Sequence, residues 1–379
     1  MNKKQEFFNK YFDKKKDDIY FITLKKGAAI KFKNYEYITG NELAVPVRAQ
    51  NLIEDIKKQS DNEGVTINNI IDGIIYIQGT DKNFELLTEY NNMLSKLKFE
   101  LEPYIILCIN RFDENHNDDG VVYGKALLNI KEDEKSCFIY ASVLEKRGMD
   151  KQSIKNQAEA QFFLEEAYAY FEKSLDYNNK FALAYYKLGY YYKLKQQYVK
   201  AEVYWTKHQE LDNDAIRTDE IRNELIQLKP YVDYENGYNL VLKENPNEAL
   251  DLLLPLVKEF NGWWNLLFFI GLAYRSLKEY EIAERYFENV LKINENQKEA
   301  INELGLCKIC RGKYTEAEEL FTRLLNIEPG NCEVFCNRAV ALLYNGQVDR
   351  AKEDIGVALK INPNDEVALG IKAELDKKY

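Results

Sequence analysis

WNLLFFIGLAYRSLKEYEIAERYFENVLKINENQ, residues 264–297, is one block of a series that advances in steps of 34 residues. Glycine keeps that step at Gly237, Gly271 and Gly305, and alanine keeps it at Ala249, Ala283, Ala317 and Ala351, all within Pro230–Asp365. A fixed period of this length marks a repeat architecture. Each block holds two helical patterns separated by a short polar turn. Small residues such as Gly271 and Ala283 let two antiparallel helices cross closely. Phe287 and Val290 then continue an apolar stripe on the second helix. Thr315 with Glu318 reads as a capping box opening such a helix. Pro329-Gly330 and Asn362-Pro363 stop one block before the next begins. No block can bury its apolar face alone, so neighbours must stack.

The residues resemble the tetratricopeptide repeat, whose signature runs W-x2-L-G-x2-Y, then A-x3-F, then P. The block from Trp264 has Leu267, Gly271, Tyr274, Ala283 and Phe287. The block from Lys298 has Leu304, Gly305, Ala317, Phe321 and Pro329, and the block from Cys332 has Ala339, Ala351, Ile355, Ala358 and Pro363. The unit Ala182–Ala215 stands in the same phase through Leu188, Gly189, Tyr192, Ala201 and Trp205. The resemblance implies an all-α solenoid, a right-handed superhelix of helix hairpins whose first helices line a concave groove that binds extended peptides.

The 379 residues suffice for two ordinary domains or one extended solenoid. A hydrophobic content of 46% excludes disorder across the whole chain. A net charge of −10 argues against a nucleic-acid binder, which needs a basic face. No apolar run approaches the roughly 18 residues that span a bilayer. The N-terminus lacks the apolar core of a secretory signal. Six cysteines without a dense framework fit a reducing interior, so the cytoplasm is the expected address.

Residues 1–43 form a basic segment outside the repeats. Its first 40 residues carry ten lysines against five acids, a net +5 that leaves −15 on the rest. Phe7, Phe8, Tyr11 and Phe12 share one helical face. That face suits docking on the first helices of the array; membrane-surface binding is the minor alternative. Ile19–Phe32 predicts a short hairpin. From Glu42 helical patterns take over, and residues 44–181 read as degenerate helix pairs. Leu52, Ile53 and Ile56 share a face within Ala49–Lys58. Gly73 and Tyr76 mark a first helix, paired with a second carrying Phe84, Leu87, Tyr90 and Leu94. Tyr104–Phe112 and Val121–Ile130 make a further pair. Cys137–Arg147 opens another, and MDKQSIKNQAEA before its second helix reads as an insertion or a lengthened helix. Residues 182–229 add one repeat and an extra helix-length piece, Ile216–Leu228, before the four units of 230–365. Residues 366–379 form a capping helix.

No reactive centre stands out. Cys307-x2-Cys310 and Cys332-x3-Cys336 lie about a repeat apart, yet on stacked helices they fall at opposite ends, so no metal is expected. Small buried cysteines also pack as ordinary core residues. His116 falls in a polar turn and His208 packs within a helix. Neither has a nucleophile beside it. No phosphate-cradling glycine loop or dinucleotide fingerprint occurs, so no cofactor is expected.

The first-helix face opposite the Leu-Gly-Tyr seam offers Tyr186, Lys187, Tyr190 and Lys193, then Tyr231, Tyr234 and Tyr238, then Asn265, Phe268, Arg275 and Asn302. Tyrosine combines contact area with a polar tip, which suits peptide capture. The family's carboxylate clamp for chaperone tails needs Lys, Asn, Asn, Lys and Arg. Tyr186 and Tyr190 replace its first two members and Glu303 intrudes, so a chaperone-tail receptor is disfavoured. The expected function is a non-catalytic scaffold or adaptor holding a peptide or protein partner in the groove. The alternative is a peptide-sensing regulator whose N-terminal segment carries the output.

Overall fold

The computed structural model describes residues 3–51, 53, 66–111 and 117–378. His116 and most of the helix expected over residues 49–58 lie outside the described residues. Two compact units divide the chain: residues 1–195 with 203–221, and 196–202 with 222–379. Among the described residues the fold is helical apart from four short strands.

The first unit opens with helix α1, Lys3–Lys16. Strands β1 (Ile19–Leu24), β2 (Ala29–Phe32), β3 (Tyr35–Ile38) and β4 (Leu43–Arg48) follow. The expected hairpin over 19–32 is corrected here. β1 pairs antiparallel with β4, Ile19 facing Arg48, while β2 pairs with β3, Ala29 facing Ile38. The strand pattern therefore continues past Glu42, because alternate residues of β4 have a core to enter. Val45 and Val47 are fully buried.

The next helices are α2 (Ile67–Thr80), α3 (Leu87–Lys96), α4 (Leu101–Arg111) and α5 (Asn117–Ile130). The degenerate repeat expected from Gly73 to Leu94 is a second correction. α2 packs chiefly on α5 and β4 rather than on α3. Gly73 serves that contact: a β-carbon there would lie 2.2 Å from the Pro46 carbonyl oxygen. Helix α2 is buried almost all round, from Ile70 to Gly79, so its isoleucines are spread around the helix rather than along one stripe.

A buried polar network ties these elements together. Arg48 Nη2 lies 2.6 Å from Asp119 Oδ2, and its guanidinium stacks 4.2 Å over the Tyr76 ring. The Tyr76 hydroxyl donates to Asp119 Oδ1 at 3.0 Å and the Tyr123 hydroxyl donates to Asp72. Asn51 Nδ2 donates to Asp72 Oδ2 at 2.7 Å. Burial raises the Asp72 carboxyl above its ordinary range despite Tyr123 and Arg48 beside it.

Two long helices complete this region, α6 (Glu134–Ser153) and α7 (Gln157–Tyr177). MDKQSIKNQAEA is thus lengthened helix on both sides of a turn at residues 154–156. Asp133 and Ser136 form a reciprocal cap at the start of α6. The aromatic face of α1 docks on α7: Phe7 lies 5.2 Å from Phe162 and 5.4 Å from Phe163, and Tyr11 lies 5.5 Å from Phe163. Lys4 pairs with Glu166 at 2.8 Å. The face that a membrane-surface helix would present is packed within the protein. Helices α8 (Ala182–Leu194) and α9 (Tyr198–Leu211) form the expected repeat, with Gly189 against the Trp205 indole.

Helix α10, Ala215–Leu242, is a third correction. The extra piece and the next first helix are one continuous 28-residue helix, and the boundary expected at 229/230 falls inside it. Pro230 removes one N–H, but the carbonyl it forsakes belongs to the exposed Ile226, where water can serve it.

The second unit then runs in hairpins. Helix α11, Pro246–Leu253, is short because Pro255 cannot extend it, and the chain continues as a tight 3-10 turn over Leu254–Lys258. Regular pairs follow: α12 (Trp264–Ser276) with α13 (Tyr280–Ile293), α14 (Lys298–Cys310) with α15 (Tyr314–Ile327), and α16 (Cys332–Tyr344) with α17 (Val348–Ile361). Helix α18, Glu366–Lys378, closes the series. Ala283, Ala317 and Ala351 are fully buried. The turn inside each pair uses a left-handed residue at the repeat step: Glu244, Lys278, Gly312 and Gly346, with φ of 61°, 63°, 72° and 78°. First helices are capped in phase as well. Gln297 accepts from Ala300 N, Asn331 from Val334 N and Asp365 from Ala368 N.

The capping box expected at Thr315 and Glu318 is not formed, because α15 begins at Tyr314 with no side-chain cap. Both side chains serve the next repeat instead. Thr315 Oγ1 accepts from Asn345 Nδ2 at 3.4 Å, and Glu318 pairs with Arg350 at 2.6 Å.

Candidate protein-binding face

The residues expected to line the groove fall in both units. In the first, Tyr186 and Tyr190 both donate their hydroxyls to Glu220 at the start of α10. Burial comes first, and then that carboxylate, in raising Tyr186 above the ordinary phenol range. Lys187 pairs with the buried Glu145, and Lys193 lies 5.8 Å over the Trp205 ring. These four polar ends already have partners in the fold. His208 is fully buried, its Nδ1 3.0 Å from the Ala182 carbonyl oxygen, as its packing role predicts.

In the second unit the first helices build an aromatic ledge. The Tyr231 ring lies 5.7 Å from Trp263, and Tyr238 stacks on Phe269 at 5.2 Å. All four rings are half-buried. Tyr234 departs from expectation. It is 8% exposed, sits in the hydrophobic cluster 4.3 Å from Trp263, and burial pushes its phenol up to about 12. Its ring is therefore core, not contact surface. Phe268 rests 5.8 Å from Phe287 and remains half-buried.

The first helices also carry polar groups that the repeats leave incompletely bonded. Asn265 Oδ1 is shielded from solvent and has no hydrogen-bond partner. Arg275 Nε and Glu303 Oε2 are 2.7 Å apart, an ion pair by distance whose angle fits no hydrogen bond. Burial raises the Glu303 carboxyl, against the pull of Arg275. Asn302 is satisfied, its Oδ1 accepting from Asn337 Nδ2 at 3.0 Å. Trp263 and Phe269 were absent from the expected set, although WW at 263–264 and FF at 268–269 carried the signal one residue out of register.

Residues 265–297 match the family model of the tetratricopeptide repeat. Among solved structures, the chain is similar to YrrB, described as "a TPR protein with an unusual peptide-binding site", at 24% identity over 54% of this chain and 97% of that one, with a TM-score of 0.39. It is similar to MamA at 19% identity over 48% and 92%, TM-score 0.35. It is also similar to PilW, described as a "widely conserved type IV pilus biogenesis factor", at 14% identity over 61% and 97%, TM-score 0.39. Residues 265–297 are thus a tetratricopeptide repeat, and further helix hairpins flank that block in the same phase.

Proposed function

We propose that the protein is a non-catalytic adaptor that holds a peptide or protein segment on the first-helix face of its second unit. The observation that carries this reading is the partly exposed ledge of Tyr231, Trp263, Tyr238 and Phe269. Flat aromatic rings accept apolar side chains at low entropic cost. Six free cysteines fit a reducing compartment, and the cytoplasm is part of the same reading. A displayed random-peptide library selected on the whole chain, followed by fluorescence anisotropy of the enriched peptides, tests it. Tyr238→Ala and Phe269→Ala should each weaken binding about tenfold or more, as interface anchors do. Selected peptides whose affinity ignores both substitutions would remove this face from the function.

A further inference from the structure

We propose that Cys332, Cys336 and Asp365 bind a thiophilic divalent cation of the zinc class where α16 meets the start of α18. The two thiol sulfurs and a carboxylate oxygen all lie within 4.8 Å of one another. Tetrahedral zinc, with ligands at about 2.0–2.3 Å, holds its ligand atoms roughly 3.5–3.8 Å apart, so small side-chain rotations close the set. The grouping differs from the four-cysteine set that spacing suggests. Cys307 and Cys310 take no part, and the third ligand comes from the seam with the next helix.

The site is built in the way metal sites are. Cys332 and Cys336 stand one turn apart on α16 and so share a face. Asp365 is held by a second contact, since one of its oxygens accepts from Ala368 N at 2.9 Å and caps α18. A ligating carboxylate fixed by an outer hydrogen bond is pre-oriented for its ion. Cys336 is buried while Cys332 and Asp365 are half-buried, which leaves an entrance. Three protein ligands leave a fourth position for water.

The test titrates the reduced, metal-free full chain with Co2+ and follows the near-ultraviolet thiolate-to-cobalt absorption, then displaces the ion with Zn2+. The band should saturate at one ion per chain and vanish in Cys332→Ala and Cys336→Ala. Asp365→Asn should weaken binding while the helix start survives, because asparagine caps as well as aspartate. Cys332 is only half-buried, so its variant reports even where the Cys336 variant fails to fold. No band in the native chain, a band that survives in Cys332→Ala, or a band lost on changing Cys310 would each overturn the proposal.

Discussion

Gly305 lies against the Phe321 ring so closely that a β-carbon on it would sit 2.6 Å from Phe321 Cζ. Gly271 stands in the same relation to Phe287 and Gly189 to Trp205, in each case sixteen residues along, and Gly237 meets Leu253 likewise. The glycine and the bulky residue are two halves of one contact. Gly305→Ala should therefore destabilise the protein. Overpacking costs about 1–3 kcal/mol, and the helix preference of alanine returns only about 1 kcal/mol. Thermal melts of Gly305→Ala, Phe321→Leu and the pair measure the coupling; strictly additive effects would mean the contact is incidental.

The left-handed turn gives a stabilising change. Lys278 holds φ of 63° at the position where Gly312 and Gly346 stand in the next two repeats. A side chain in that conformation costs about 1–2 kcal/mol, partly balanced by the larger freedom glycine loses on folding. Lys278→Gly should gain about 0.5–1 kcal/mol and Gly312→Ala should lose about as much, read by urea unfolding. Equal midpoints for the two variants would contradict the shared geometry.

The Arg48 network is the sensitive point of the first unit. Arg48 is 3% exposed and its closest carboxylate is Asp119. Asp119→Ala would leave that cation buried with Asp72, at 3.8 Å, as its remaining carboxylate among the described residues. Breaking a buried pair from one side costs roughly 3–5 kcal/mol. The loss should appear in a near-ultraviolet circular dichroism melt. An unchanged melt would show that water already compensates Arg48.

The tyrosines divide by burial. Tyr234→Ala removes a core ring and should cost about 3 kcal/mol of stability. Tyr238→Ala, on the half-exposed ledge, should leave the melt nearly unchanged while weakening peptide capture. If both behave alike in both measurements, the distinction between core and ledge fails.

Much of the second unit was legible because the 34-residue step repeats the same packing problem. Phe287, Phe321 and Ala283 could be placed from phase alone. The first unit was harder for physical reasons. Leu43–Arg48 reads as the start of helical sequence until its partner, Ile19–Leu24, is known, and a strand's partner is not a local property. Gly73 mimics the repeat glycine yet makes room for a strand carbonyl. Pro230 reads as a helix start, but the solvent side of α10 tolerates it. On the candidate face, helical spacing could identify Tyr231 and Tyr238. It could not tell that Tyr234, three residues along, turns under Trp263.

The caps at Gln297, Asn331 and Asp365 are interchangeable junctions, since each delivers the chain into a first helix through the same bond to the residue three further on. Cutting out residues 298–331 would join Gln297 to Cys332 and hand the chain on in unchanged phase. Growth and loss in this part of the molecule are thus quantised. A gene rearrangement of one full block keeps every seam intact, whereas a deletion of even a few residues throws all later helices out of step.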